Sequence, residues 1–354
     1  KESEKRNMKK LVSRLMAVLM AMTMILSMSM TAFAAEAPKG TLTVNNTVAG
    51  KTLDLYQIFT ATKNGDNVAY TLNDAYEGFF QSKISGASTL TGEALSEKAY
   101  EYVKTQVGTD GSNGAAFAKD IMGWILSASG ETKTAVESTH STTTTADTKT
   151  VIENLAYGYY VVYPLGATDT STAPGNEAVK SVASLVSVTG DDATVNMKSN
   201  YPTVVKKVND KNADDVNIGD TVTYTLTSKV PDMTGYTSYV FNFKDTLAKG
   251  LTFGSITSVT VGSGENVQNV TEGTGDNTYT LTQDGQNITI TMNNFFASNE
   301  NKAGQEINVT YTATLNKDAV TGFDPNTNKA TVEYSNKPGT DEKGESEPSI
   351  VDVH

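Results

Sequence analysis

From Gly40 onward, apolar and polar residues alternate in short runs broken by Gly, Asn and Asp. Alternation with a period of two marks a strand with one buried face. Thr41–Val44, Leu53–Phe59, Tyr157–Tyr163 and Ser181–Val188 are therefore predicted strands. Between them the period lengthens to that of a helix: Leu95, Ala99, Tyr102 and Val103 share one stripe, and Phe117, Ile121, Trp124, Ile125 and Ala128 another. Trp124, the one tryptophan, falls on such a stripe and reads as a core anchor. Residues 131–150 are rich in Ser and Thr and predict an exposed hairpin loop.

Beyond Tyr201 the strands come without helices. They run Val204–Val208, Asp220–Ser228, Tyr239–Lys244, Ile256–Val261, Tyr279–Thr282, Asn287–Met292, Glu306–Leu315 and Ala330–Tyr334, separated by turns such as Asn217-Ile218-Gly219-Asp220 and Lys337-Pro338-Gly339. Seven or eight short strands over about 135 residues predict an immunoglobulin-like β-sandwich. The fold class is thus mainly β: tandem immunoglobulin-like sandwiches, the N-terminal one with a helical insertion. Residues 35–198 form the first module and 199–338 the second. Residues 339–354 read as a polar linker, Gly339–Pro348, and then Ser349–Val353 as the opening strand of a further domain not completed here. With no sorting motif and no C-terminal apolar helix, the sequence reads as truncated.

The first 34 residues read as an address. Lys9, Lys10 and Arg14 precede an apolar run from Leu15 to Met30, which ends in Thr31-Ala32-Phe33-Ala34-Ala35. A basic segment, an apolar segment and an Ala-x-Ala site make a secretory signal peptide cut between Ala34 and Ala35. Met8 reads as the start, with residues 1–7 upstream of it. The run is too short, and too broken by Thr23, Ser27 and Ser29, for a membrane anchor.

Composition narrows the chemistry. The 354 residues include no cysteine, which excludes disulfides, thiol nucleophiles and Cys-based metal sites. With only His140 and His354, a Ser-His-Asp triad or a multi-histidine metal site is excluded as well. No cofactor and no metal are expected. The Asp-rich run Asn209–Asp215 lacks the Gly and distal Glu of a calcium loop and reads as a solvated turn. The net charge is −12. Removing residues 1–34 takes away six basic and two acidic residues, leaving 22 against 38, or −16. Such a balance argues against a nucleic-acid partner. An exported protein without cysteine must draw its robustness from something other than disulfides.

Parity along three strands of the second module supplies a candidate. Val204, Lys206 and Val208 share one face of the first strand; Phe241, Phe243 and Asp245 share one face of a middle strand; Asn328, Ala330, Val332 and Tyr334 share one face of the last. Each is the apolar face, so a Lys, an Asp and an Asn are aimed at one core. Desolvation neutralises such groups. A neutral amine is a nucleophile, and a protonated carboxyl polarises an amide carbonyl. Attack of Lys206 Nζ on the Asn328 side chain, with Asp245 as proton shuttle, would leave an intramolecular amide and release ammonia. The same residues also admit a plainer reading: a snorkelling lysine, an edge aspartate and a capping asparagine.

Tyr201-Pro202-Thr203-Val204-Val205-Lys206-Lys207-Val208, Asn217–Tyr224, Phe243-Lys244-Asp245-Thr246-Leu247-Ala248-Lys249-Gly250-Leu251 and Asn328-Lys329-Ala330 together resemble the isopeptide-forming domain of Gram-positive, sortase-assembled backbone pilins. The resemblance runs over about 201–336, at the order and spacing an immunoglobulin-like sandwich requires. It is looser over 40–198, where it resembles the family's N-terminal pilin domain. It implies that Lys206 and Asn328 are the cross-linked pair and Asp245 the shuttle, with Lys207, of outward parity, as the substitute lysine. In the first module, Ile152–Pro164 keeps the texture of the family's second type of cross-linking domain. The Glu of its Glu-Thr segment is missing, so no cross-link is expected in 40–198.

The resemblance further implies that a lysine at the end of the first module joins one subunit to the next. Lys198 occupies that place in Thr194-Val195-Asn196-Met197-Lys198, although the usual Tyr-Pro falls after it, at Tyr201-Pro202. Lys180, Lys206 and Lys207 are the substitutes. The expected partners are identical subunits, a pilus-specific sortase, tip and base pilins and a host surface ligand. The expected location is the cell surface or wall of a Gram-positive bacterium. The expected function is a structural subunit of a covalent pilus, with catalysis limited to one turnover inside its own chain. The rivals are a monomeric wall-anchored adhesin for a host glycan or matrix protein, and a secreted hydrolase built on paired carboxylates, for which no acidic pair stands out.

Overall fold

A computed structural model describes residues 37–108, 113–127, 136–168, 182–197 and 200–354. The described residues divide into two compact units, one made of 37–165 and 182–197, the other of 166–168 and 200–354. The signal segment with Ala34 and Ala35, and also Lys180 and Lys198, lie outside the described residues.

The first unit contains β1 (Lys39–Asn45), β2 (Thr52–Asn64), β3 (Asn67–Leu72), α1 (Glu77–Lys83), α2 (Gly92–Val107), α3 (Gly114–Leu126), β4 (His140–Thr143), β5 (Lys149–Ala156), β6 (Gly158–Pro164), β7 (Ser184–Val188) and β8 (Ala193–Asn196). One sheet has the order β3-β2-β6-β7, with β4 also on β2, and a smaller sheet has the order β5-β1-β8. The larger sheet is covered on both faces, which explains why Gly158–Pro164 is buried throughout. Leu53, Leu55, Tyr160 and Val162 face the smaller sheet, whereas Tyr56, Ile58, Tyr159 and Val161 face the helices. Trp124 packs there against Phe79, with ring centroids 5.7 Å apart, as a core anchor. On α2 the buried aromatic is Tyr100, while Tyr102 is half exposed.

The Ser/Thr run departs from its reading as a loop. His140–Thr143 is a strand on β2, and Thr144 and Thr150 are buried. Thr144 Oγ1 accepts from the Lys51 amide at 2.9 Å, so a hydroxyl does the inward work that an apolar side chain usually signals.

The second unit contains β9 (Val205–Val208), β10 (Ala213–Asp214), β11 (Thr221–Lys229), β12 (Phe241–Leu247), β13 (Leu251–Val261), β14 (Gln268–Asn269), β15 (Thr271–Glu272), β16 (Thr278–Asp284), β17 (Asn287–Met292), α4 (Phe295–Asn299), β18 (Glu306–Leu315), β19 (Asn326–Ser335), β20 (Lys343–Glu345) and β21 (Ser349–Val353). One sheet runs β14-β13-β18-β11-β9 and the other β10-β21-β19-β12-β17-β16-β15, with β20 on β19. Inward residues alternate along β11, β12 and β18, as Ile307, Val309, Tyr311, Ala313 and Leu315 do on β18.

Two local readings meet the structure differently. Ser349–Val353 does not open a further domain. It pairs antiparallel with β19 (Asn328 opposite Val351) and parallel with β10, and it buries Val351 and Val353 in the same core. The charged linker before it is spanned partly by β20, whose Gly344 lies opposite Tyr334. The Asp-rich run is a turn: Asn209 and Asp210 both take positive φ, and Asp214 accepts from Asn209 Nδ2 and Lys211 Nζ, each at 2.7 Å.

Candidate functional site

Three strands from two sheets converge on one point of the second core. On β9, Val205 and Lys207 face outward while Lys206 and Val208 face inward. On β12 the inward series is Phe241, Phe243, Asp245 and Leu247. On β19 it includes Asn326, Asn328, Ala330 and Val332. Lys206, Asp245 and Asn328 retain 1%, 2% and 0% exposure, and Lys206 is among the largest fully buried side chains. Asp245 lies opposite Ala330 and Leu247 opposite Asn328, which sets carboxyl and amide on neighbouring strands of one sheet. Lys206 reaches them from the other sheet. At this open edge of the sandwich its backbone amide donates to Ser349 Oγ at 2.9 Å.

The hydrogen bonds meet at a residue that parity alone did not single out. Tyr311, inward on β18, accepts from Lys206 Nζ at 2.8 Å and from Asn328 Nδ2 at 2.7 Å, and donates to Asp245 Oδ2 at 2.9 Å. Lys206 Nζ also donates directly to Asp245 Oδ2. The lysine and amide nitrogens thus share one oxygen and are no farther apart than those two bonds end to end. Tyr224, opposite Tyr311 on β11, stacks on its ring with centroids 5.2 Å apart. Lys206 Nζ lies 4.8 Å and 5.0 Å from the Tyr224 and Tyr311 ring centroids.

Besides the Tyr224 hydroxyl, two oxygens in this pocket have no partner: Asp245 Oδ1 and Asn328 Oδ1. Both are acceptors, and buried unpaired acceptors are destabilising. A proton on the carboxyl would turn one of them into a donor. The electrostatics point the same way. Burial lowers Lys206 from 10.5 to about 8, opposed by the neighbouring Asp245 charge. Burial raises Asp245 above 3.8, opposed by Lys206 and by the bond from Tyr311. Each group is pushed toward its neutral form, an amine beside a carboxylic acid. Burial holds the Tyr311 phenol well above its ordinary 10.0, so it stays protonated.

Lys207 stays at the surface and donates to Asn212 Oδ1. No lysine among the described residues of the first unit is buried. The described residues also hold no cluster of three His, Asp or Glu that could bind a metal ion, and no helix long and apolar enough to cross a membrane.

Residues 218–338 match the family model for Gram-positive pilin backbone subunit 2, Cna-B-like domain. The matched residues all lie within the second unit. Among solved structures, the chain is similar to the T6 backbone pilin of serotype M6 Streptococcus pyogenes, at 20% identity over 90% of this chain and 65% of that one, with a TM-score of 0.46. It is also similar to the full-length major pilin SpaD from Corynebacterium diphtheriae, at 18% identity over 88% of this chain and 65% of that one, TM-score 0.42. The chain thus spans 65% of the length of these two pilins. A comparison with curated proteins gives no match.

Proposed function

We propose that this chain is a structural subunit of a covalently polymerised cell-surface pilus, and that its second domain is locked by an amide bond between Lys206 and Asn328. The observation that carries the reading is a lysine, an aspartic acid and an asparagine buried in one pocket, with one hydroxyl bonded to all three. Apolar residues of similar volume would fill this space at less cost, because a buried ion pair rarely repays its desolvation. The arrangement is explained if the charges are consumed after folding.

In that reaction Nζ attacks Cγ of Asn328, the Cγ–Nδ2 bond breaks, and one hydrogen passes from Nζ to Nδ2, which leaves as ammonia. Asp245 in its acid form polarises the Asn328 carbonyl and, as its conjugate base, stabilises the ammonium form of the amine that precedes attack. No group is left changed except the linked pair, so the chemistry runs once and the role is structural. Export would remove the leader by cleavage between Ala34 and Ala35, and a sortase would deliver a neighbouring subunit to Lys198 as the attacking amine.

Two experiments test these parts separately. Intact-mass analysis should give a protein about 17 Da lighter than its sequence, the mass of one ammonia. A Lys198→Arg subunit, co-expressed with its pilus sortase, should lose the ladder of high-mass species, because arginine stays protonated and is a poor nucleophile. An unchanged ladder would remove Lys198 from the account.

A further inference from the structure

Amide formation between Lys206 and Asn328 requires one proton to move between two nitrogens. Nζ enters as an amine with two hydrogens and ends as an amide with one. Nδ2 begins with two and leaves with three. Asp245 Oδ2 touches Nζ, but the hydrogen bond of Asn328 Nδ2 goes to Tyr311 instead. The atom in contact with both the attacking and the leaving nitrogen is the Tyr311 phenol oxygen, at 2.8 Å and 2.7 Å.

Resting on the cross-link reading above, we infer that Tyr311 is a catalytic residue of the condensation and carries the proton from Lys206 Nζ to Asn328 Nδ2. Once Nζ has bonded to Cγ, Nδ2 is no longer a planar amide nitrogen and has a lone pair to accept with. The phenol oxygen takes a proton from Nζ while giving its own to Nδ2. The Cγ–Nδ2 bond then breaks, its electron pair departs with ammonia, and the phenol is restored. Asp245 is left free to act on the carbonyl oxygen.

The surroundings suit this task. The Tyr311 ring is held by its stack on Tyr224 and by Phe253 at 5.6 Å, so its hydroxyl is fixed before any reaction begins. Its oxygen accepts two hydrogen bonds and donates one, the full capacity of a phenol at such a centre. A phenol kept from ionising moves protons only by taking one as it gives one, which avoids a buried phenolate.

The test is a time course of ammonia loss, read by intact mass, on full-length wild type, Tyr311→Phe and Tyr279→Phe after synthesis in a cell-free system. Tyr311→Phe keeps the ring and its stack and removes one oxygen. It should fold, as judged by circular dichroism, and link at least about 100-fold more slowly than wild type, in the range for general acid–base catalysis. Tyr279→Phe, on β16 two strands away from β12, should link at close to the wild-type rate. Linking of Tyr311→Phe at the wild-type rate would overturn the relay and leave the cross-link standing. Equal slowing in both variants would also overturn it, by tracing the effect to packing. A wild type that keeps its full mass would instead remove the cross-link itself. If Tyr311→Phe does not fold, 3-fluorotyrosine installed at Tyr311 preserves the shape and makes the phenol more acidic. A changed rate would support the relay, and an unchanged one would contradict it.

Discussion

Lys206 is held where an ammonium ion is disfavoured, and its proton therefore sets a pH dependence. The amine must be neutral to attack, and burial brings it to about 8. The rate of linking in newly folded protein should therefore rise with pH up to about 8 and then level off, as followed by intact mass. The Asn328→Ala variant keeps both titrating groups but cannot link, so the same shift appears there as stability. Between about 8 and 10.5 the unfolded chain holds a proton that folded Lys206 has released. Stability must then rise with pH across that window. Asp245 works in the opposite sense at lower pH: its folded carboxyl keeps a proton above 3.8, so stability falls as pH rises from there. Denaturant midpoints measured across pH would show both slopes. The inward placement of Lys206, Asp245 and Asn328 was legible from parity, because a charged or amide side chain on an apolar face is conspicuous. Tyr311 was not, because an inward tyrosine between Val309 and Ala313 has the same pattern as any core aromatic. Its role depends on register with Tyr224 and on reach across the sandwich, which a one-dimensional pattern does not contain.

At the scale of elements, the site depends on strands far apart in sequence. β9 and β21 flank the open edge, and β21 also backs Asn328 through the pairing of Asn328 with Val351. Val351→Ala should cost about 1–3 kcal/mol, the range for removing buried methyl groups. Urea unfolding in the Asn328→Ala background, where no covalent bond masks the loss, would measure it. An effect below about 0.5 kcal/mol, typical of surface sites, would mean that β21 is not part of this core. Strands β11, β12 and β18 were readable because they alternate cleanly. β21 was misassigned because Gly339–Pro348 has the composition of an interdomain linker, and composition does not reveal that β20 lies within it. The β4 strand in the Ser/Thr run was hidden for a related reason: none of its four residues is buried, so it carries no apolar signature.

For the whole molecule, the proposed cross-link would answer how a chain without cysteine holds together. It would close a loop of 122 residues, from position 206 to 328. By the chain-entropy account used for disulfides, a loop of that size adds on the order of 5 kcal/mol. The bond would also join β9 to β19 across the two sheets of the second unit, so a pulling force along the chain would load a covalent link in place of β-ladder hydrogen bonds. Asp245→Ala should leave a folded but unlinked protein that is digested faster by protease than wild type. Equal resistance would mean that the bond adds nothing to the folded state. The most direct measurement is the intact mass of the purified chain together with tandem mass spectrometry of its tryptic digest. The account predicts a mass about 17 Da below that of the sequence, one branched peptide joining Lys206 to Asn328, and neither feature in Asp245→Ala. A full-mass protein with a free Lys206 amine would contradict it.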